Sequence, residues 1–408
     1  MNTPNNIRHP KKKGGAPVLA VVITVVSVLV LAVIVGVWLF MEYYRPSVDT
    51  DSPFDTVDSP FGVETVDHVE SKGPDGAEDT ADDSETVEKV VRDTENVNFL
   101  IMGRDKDAWN TDVMMIVNFN YREGSMAVLQ IPRDTYVEFG SSYGRLNTFM
   151  KIKRQAAYNA DPTLSQTELT KAGVKGVADE LEKSLCIQID GYAIINLEGF
   201  RNVIDIIGGV YMDVPYDMHY EDPDQDLYIH IKKGPQTLNG AKSEQFVRFR
   251  SDYIQGDIGR VNAQKIFLTA LFKQLQQSLT ISTIPKLAEQ AMRYVTTDLT
   301  VDEIVFYAKE LMSVELGSIS MMTLPGEGAR SASGASYYVM NRADTLSAIN
   351  GYFNVYNRDI TDEMFDRDYA FTAENYPAFE KVYFAEGSGV AVDSADDIDN
   401  GEINIPRY

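Results

Sequence analysis

One cysteine, four histidines and a shortage of basic residues are what this 408-residue chain has least of, and each shortage excludes something. The single cysteine, Cys186, rules out an internal disulfide. Leu185 and Ile187 flank it, which reads as a buried apolar position, and no His/Asn arrangement accompanies it to make a nucleophilic thiol. The histidines, His9, His68, His219 and His230, make no zinc motif. No serine sits in a nucleophile-elbow sequence. Gly234 to Ser243 fails as a phosphate loop because Ala241 separates Gly240 from Lys242. Asp222, Asp224 and Asp226 lack the glycine and the distal glutamate of a calcium loop. With 37 Lys+Arg against 61 Asp+Glu, a formal charge of −24, nucleic acid is excluded as a partner, because phosphate backbones select basic surfaces.

The acidity is unevenly placed. Residues 47–94 carry 15 acids and 3 bases, and 358–408 carry 13 and 4. The first 46 residues carry 5 bases and 1 acid, so the middle of the chain, 95–357, holds only −7 of the total. A centre this much less acidic than its flanks can house a local basic pocket.

What is present begins with a long apolar run. Met1–Gly15 is polar and basic, with Arg8, Lys11, Lys12 and Lys13, and Ala16–Met41 follows with no charged residue. That run exceeds the ~20 residues needed to cross a bilayer core and lacks a signal-peptide cleavage site. Trp38, Tyr43 and Tyr44 fall where interfacial aromatics belong, and the lysines place the N-terminus in the cytoplasm. The expected organisation is a cytoplasmic basic tail (1–15), a transmembrane helix (16–41), an acidic extracellular linker (42–94), a folded domain (95–357) and an acidic C-terminal tail (358–408). Outside the membrane no ATP supply is expected, so any group transfer there must use an already activated substrate.

Regular structure is expected from Asn96. Val97–Gly103, Val113–Phe119 and Ala127–Ile131 read as apolar strands, the last two joined by a hairpin-like turn at Tyr121–Ser125. Tyr192–Leu197 is a further strand leading into a helix over Glu198–Ile207 that Gly208-Gly209 closes. Leu227–Ile231 is a short strand, Gly240–Gln245 begins a helix, Ile258–Leu279 and Val301–Leu311 are helices, and Ser318–Leu324 is a late strand. Strands alternating with amphipathic helices give an α/β fold, expected as a layered α/β/α domain with a mixed central sheet. Thr148–Lys171 reads as a polar segment and Asp393–Asp399 as disordered.

The stretch richest in chemistry is Val247–Gln264. Arg248 and Arg250 are two apart, so on a strand they share a face, with Val247 and Phe249 on the other. Gly256 and Gly259 bracket a helix start, where Arg260 and Gln264, four apart, share one face. Three guanidiniums converging from a strand end and a helix start suit a multiply charged anion, most simply a pyrophosphate. Asp105 and Asp112 stand at neighbouring strand ends, where two carboxylates can share one hard cation; exposed loop acids are the other reading. Arg133, after Ile131-Pro132, is aimed off the sheet end where α/β ligand sites lie, or else makes a surface salt bridge. Arg145, in Arg145-Leu146-Asn147, adds a positive group or a structural cap.

In these motifs the chain resembles the LytR-CpsA-Psr family of bacterial cell-wall proteins. The resemblance runs in order from Asn96 to Tyr356. It includes Asn98–Gly103 with Asp105, Thr111-Asp112, Ile131–Thr135, Arg145-Leu146-Asn147 and Ile189–Gly199. It continues through Ile206–Val210, Asp213-Val214-Pro215, Gly234–Gly240, Val247–Gln264 and Leu324–Gly328. The short loop holding Trp109 and the polar stretch after Asn147 depart from the family pattern.

The resemblance implies an extracytoplasmic phosphotransferase. Such proteins take an anionic glycopolymer, teichoic acid or capsule, from an undecaprenyl pyrophosphate carrier and join it to peptidoglycan, with Mg2+ or Mn2+. By motif, Asp105 and Asp112 would hold the metal, Arg133, Arg248, Arg250 and Arg260 the pyrophosphate, and Gln264, Asp257 and Arg145 the substrate around it. Such chemistry needs positioning and charge neutralisation, which arginines and a metal supply. Two other readings stay open, a polyprenyl pyrophosphate phosphatase and a non-catalytic envelope binder. The residues do not rank Asp105, Asp112 and Asp257 as proton acceptors.

Overall fold

The computed structural model describes residues 90–104, 109–139, 142–223, 227–249, 257–280, 282–331, 334–365 and 390–401, without the side chains of 138, 139, 142, 143 and 257–261. The expected membrane span, Asp105 and Arg250 lie outside the described residues.

In chain order the strands and helices are β1 (Asn96–Arg104), β2 (Thr111–Asn120), β3 (Ser125–Ile131), β4 (Tyr136–Phe139), β5 (Ser142–Arg145), α1 (Phe149–Ala160), α2 (Gln166–Leu185), β6 (Gly191–Asn196) and α3 (Leu197–Ile206). They continue with β7 (Val210–Val214), β8 (Met218–Asp222), β9 (Leu227–Ile231), β10 (Gly234–Leu238), α4 (Gly240–Arg248), α5 (Asp257–Ser278), α6 (Ile284–Ala291), β11 (Val295–Thr297) and α7 (Val301–Leu311). The last are β12 (Ile319–Thr323), β13 (Gly326–Arg330), β14 (Ser336–Met340), α8 (Arg342–Tyr352), α9 (Asp362–Phe365), β15 (Val392–Ser394) and α10 (Ala395–Asp399).

The centre is a mixed seven-stranded sheet in the order β11-β6-β1-β2-β3-β12-β15. β1 is antiparallel to β2 and β2 to β3, while β6 runs parallel to β1 and β12 parallel to β3. Four strands therefore end on one edge, the edge at which α/β folds place their ligands. Near-continuous apolar runs in β1 to β3 follow from burial on both faces of the sheet. Gly124, at φ +65°, makes the tight turn between β2 and β3.

The two faces are packed differently. On one, Leu100, Met102, Ile116 and Leu129 are wholly shielded beneath α1, α2 and α8. On the other, Val97↔Phe119, Phe99↔Val117, Ile101↔Met115 and Gly103↔Val113 are successive cross-strand pairs. Their bulk declines toward the C-terminal edge. Phe99 and Phe119 pack with Tyr121 and Tyr307 at the wide end, whereas Gly103 leaves room at the narrow end. α5 and α7 cover this face, and Ile266 of α5 joins it to a second core built by β7 to β10, α3 and α4.

Three sequence expectations need correction. The stretch after Asn147 is helical: Ser165 and Glu168 form a reciprocal capping box for α2, whose Val174, Val177, Ala178 and Leu181 are buried. Asp393–Asp399 is ordered, because β15 pairs with β12, Ala395 and Ile398 are buried, and Lys265 donates to Asp393 at 2.8 Å. Val247–Arg248 ends a helix and is not a strand. Asn239 caps that helix at Lys242 N, and Arg248 closes its last turn, where a cation is favoured. A Cβ at Gly240 would lie 2.2 Å from Arg201 O, which accounts for glycine at the start of α4.

Candidate active site

The narrow end of the tapered face opens into a cavity of ≈ 530 Å³. Ile101, Val113 and Met115 form its sheet wall, and Leu197 and Phe200 of α3 form a second side. α5 contributes Gln264, Phe267, Leu268 and Leu271, the i, i+3, i+4, i+7 stripe of one helix face. Tyr220 and Leu227, on β8 and β9, close it. The half-buried Ile101, Val113, Phe200 and Leu271 are thus explained: each packs on the edge of a core and also faces the cavity.

The polar groups gather on the cavity rim. Asp112, Arg133, Arg248 and Gln264, four of the residues singled out in the sequence, line this one cavity. Arg133 Nη1 donates to Asp112 Oδ1 at 3.1 Å. The Arg133 and Asp112 side chains are 25% and 45% exposed, so this pair contributes at most about 1 kcal/mol to stability and exchanges easily for a ligand oxygen. Arg248 Nη1 donates to Glu244 Oε1 at 2.7 Å, and Glu244 Oε2 lies 3.2 Å from Arg201 Nε. Glu244 is thereby bracketed by two guanidiniums, and it holds Arg248 in one rotamer. Gln264 Nε2 donates to Val247 O at 3.4 Å, which ties α5 to the end of α4.

Arg145 does not line the cavity. Its Nε donates to Ser336 O at 3.0 Å and lies 3.5 Å from Asp134 Oδ1, and its guanidinium sits 5.6 Å from the Tyr337 ring. It braces the β4–β5 and β13–β14 pairs next to Arg133. Arg260 and Asp257 belong to the first turns of α5, but their side chains are outside the described set, as Arg250 and Asp105 are altogether.

Arg104 and Asn196 also line the cavity and were missed as site residues. Their signal was position, since each is the last residue of a strand ending on the ligand edge. Asn196 is committed locally, accepting from Gly199 N to cap α3. Arg104 stacks 4.3 Å from the centre of the Trp109 ring, and Arg154 of α1 lies 4.0 Å from the same ring. Trp109 has φ +58°, a left-handed conformation costing about 1–2 kcal/mol in a bulky residue. Two cation–π contacts of about 0.5–1 kcal/mol each offset that cost and fix the residue three positions before Asp112.

The acids whose carboxyls burial raises lie elsewhere and serve as backbone anchors. Glu182 accepts from Ile189 N, and burial pushes its carboxyl up to about 8. Asp298 accepts from Tyr192 N, and burial raises it to about 6. The rim instead presents three guanidiniums and one carboxylate over an apolar interior. That combination accepts an amphipathic ligand with a multiply charged anionic head.

Comparison with known proteins agrees with this picture. Residues 64–351 match the model of the LytR_cpsA_psr family. The chain is 29% identical over 240 residues to the polyisoprenyl-teichoic acid–peptidoglycan teichoic acid transferase TagV of Bacillus subtilis, covering 59% of this chain and 58% of that protein's length. It is 28% identical over 260 residues to the corresponding TagU of Bacillus mycoides, covering 63% and 78%. The crystal structure of B. subtilis TagV superposes with a TM-score of 0.51 at 26% identity, over 62% of this chain and 94% of that one. A Streptococcus agalactiae protein has the same fold, with a TM-score of 0.52 at 18% identity over 63% and 86%.

Proposed function

Because the chain belongs to the LytR_cpsA_psr family, we propose that it transfers teichoic acid or a related anionic glycopolymer from a polyisoprenyl pyrophosphate carrier to peptidoglycan. The observation that carries this reading is Asp112, Arg133, Arg248 and Gln264 set on the rim of an apolar cavity. A lipid pyrophosphate has the same division into charged head and apolar tail. At ≈ 530 Å³ the cavity is of small-ligand size, so it holds the first isoprene units and leaves the rest of the chain to the bilayer. In this reading Ala16–Met41 spans the membrane and the domain works on its outer side, where the substrate carries its own activation.

The residues divide the work by position. Arg133 and Arg248 take phosphate oxygens, with Arg104 beside them and Arg250 and Arg260 completing the positive set. Gln264 keeps Arg248's helix end against α5. A peptidoglycan hydroxyl oxygen bonds to the phosphorus next to the glycopolymer, and the bond from that phosphorus to the bridging oxygen breaks. The polyprenyl phosphate leaves with the electron pair, and the hydroxyl proton passes to water. Guanidiniums fixed before the reaction stabilise the charge that builds on the equatorial and leaving oxygens.

Mg2+ fits the oxygen donors present. Asp112 offers a hard carboxylate, and Asn147 Oδ1 is a buried oxygen with no hydrogen-bond partner, on a segment whose backbone is bonded to Arg133 and Thr111. Substrate phosphates supply the remaining ligands when only one or two protein carboxylates are present. Asp112 and Asp105 would hold the ion, which when bound neutralises charge on the phosphoryl oxygens.

The test is a reconstituted reaction of the full-length chain with a labelled polyprenyl-pyrophosphate-linked teichoic acid, with and without peptidoglycan. Label joined to peptidoglycan is the expected result. Polyprenyl phosphate released at the same rate without peptidoglycan would replace this reading with hydrolysis, and no turnover in either arm would contradict it.

A further inference from the structure

Two histidines that the sequence leaves without a partner come together in the fold. In the β8–β9 hairpin the register pairs His219 with His230 and Glu221 with Tyr228. Strand alternation puts these four side chains on the outer face, while Met218, Leu227, Ile229 and Ile231 turn inward and are buried. His219 Nδ1 and His230 Nδ1 face each other at 2.8 Å, and His230 Nε2 lies 3.3 Å from Glu221 Oε1. One donor atom from each of the three residues lies within 4.8 Å of the others.

We propose that His219 and His230 bind a divalent transition metal, with Zn2+ as its representative, through their facing Nδ1 atoms, while Glu221 accepts from His230 Nε2 and orients that ring. Two facing imidazole nitrogens otherwise share a single hydrogen, and a metal ion satisfies both lone pairs at once. Zn2+ takes nitrogen at about 2.0–2.1 Å, so two such ligands stand a little over 3 Å apart, a small opening from the observed contact. Two imidazole nitrogens select Zn2+, Cu2+ or Ni2+ over Mg2+ and Ca2+, which prefer all-oxygen sites. The ammonium of Lys232, two residues after His230, is paired with Asp217 at 3.1 Å. Water completes the coordination, since all three side chains are exposed.

The placement gives the site a consequence. Tyr220 and Leu227 of the same hairpin line the cavity from the inner face. A metal bridging the outer face joins the two strands that form that wall, so its occupancy stiffens the wall without touching the charged rim.

The experiment is a zinc titration of the tag-free full-length chain by calorimetry, in excess Mg2+ to occupy oxygen sites. One zinc site at about 10 µM or tighter is expected. His219→Ala and His230→Ala should each weaken it at least tenfold, Glu221→Gln less, and His9→Ala and His68→Ala not at all. Cu2+ electron paramagnetic resonance on the unsubstituted chain should report two coordinating imidazole nitrogens, a readout that survives if a variant misfolds. Zinc binding that is equal in the parent and both histidine variants, no zinc site at this affinity, or a copper signal without two nitrogens, would overturn the proposal.

Discussion

The two faces of the central sheet are made by alternate residues of the same strands, yet they have different fates. Leu100 and Ile116 turn to the α1–α2 side and are completely buried. Ile101, next to Leu100, and Val113, three residues before Ile116, turn to the α5 side and stay partly open along the cavity. Both faces are apolar. The packing differs: α1, α2 and α8 fill one face, while on the other the dwindling side chains along β1 and β2 leave space beneath α5 at the strand ends. One face is invested in stability and the other in a ligand.

That contrast can be broken at several points, taken here from the strongest effect down. Arg248→Ala removes a preorganised positive group from the rim and leaves Glu244 to Arg201 alone. Transfer should fall about 10²–10³-fold with an unchanged circular dichroism spectrum. Leu100→Ala, on the packed face, should cost about 3–4 kcal/mol in urea unfolding, since the site cannot collapse under α1 and α2. The cavity-face counterpart, Ile101→Ala, should cost less than half as much, because one side of Ile101 already meets open space. Equal losses for the two variants would erase the distinction between the faces.

A third substitution inverts the test. Ile101→Phe fills the cavity from the sheet side, so lipid-linked substrate should bind about tenfold more weakly while stability moves by about 1 kcal/mol or less. Separate from that contrast is a pH dependence carried by buried acids away from the cavity. Glu182, on α2, has its carboxyl raised to about 8 by burial, while an unfolded glutamate titrates near 4.5. Between those values the folded state holds the proton that the unfolded state has lost, so this contribution is full below the lower value and fades as pH rises through the higher. Asp298, raised to about 6, adds to the same direction at lower pH. Urea midpoints should fall between pH 5 and pH 8, and Glu182→Gln, which keeps an acceptor for Ile189 N, should flatten that slope.

Much of this was legible beforehand because period and punctuation are local. β1 to β3 read as strands from their apolar runs, and α3 ended where Gly208 and Gly209 both take φ +88°. Asp112, Arg133, Arg248 and Gln264 were recognisable as residue types at strand and helix ends, and the fold brings them to one rim. What failed was long-range. Arg248 reads as a strand residue from its spacing to Arg250, whereas the cap at Asn239 and the pairing with Glu244 extend its helix. Arg145 carried a plausible charge, but one of its partners, Ser336, arrives from the distant β13–β14 hairpin, and the other, Asp134, from the turn before β4. The acidic run at Asp393–Asp399 looked disordered because Lys265 and Lys273, which neutralise it, lie more than a hundred residues away. His219 and His230 match no spacing motif, and only the hairpin register sets them opposite each other.

The most direct test uses a polyprenyl pyrophosphate with a photoreactive group in its first isoprene units, crosslinked to the full-length chain and mapped by peptide mass spectrometry. Labelling of the β1, β2 and α5 segments that hold Ile101, Val113, Phe267 and Leu271, lost when unlabelled lipid pyrophosphate competes, is the expected result. Labelling confined to the α1–α2 side of the sheet, or spread evenly over the surface and unaffected by competitor, would contradict it.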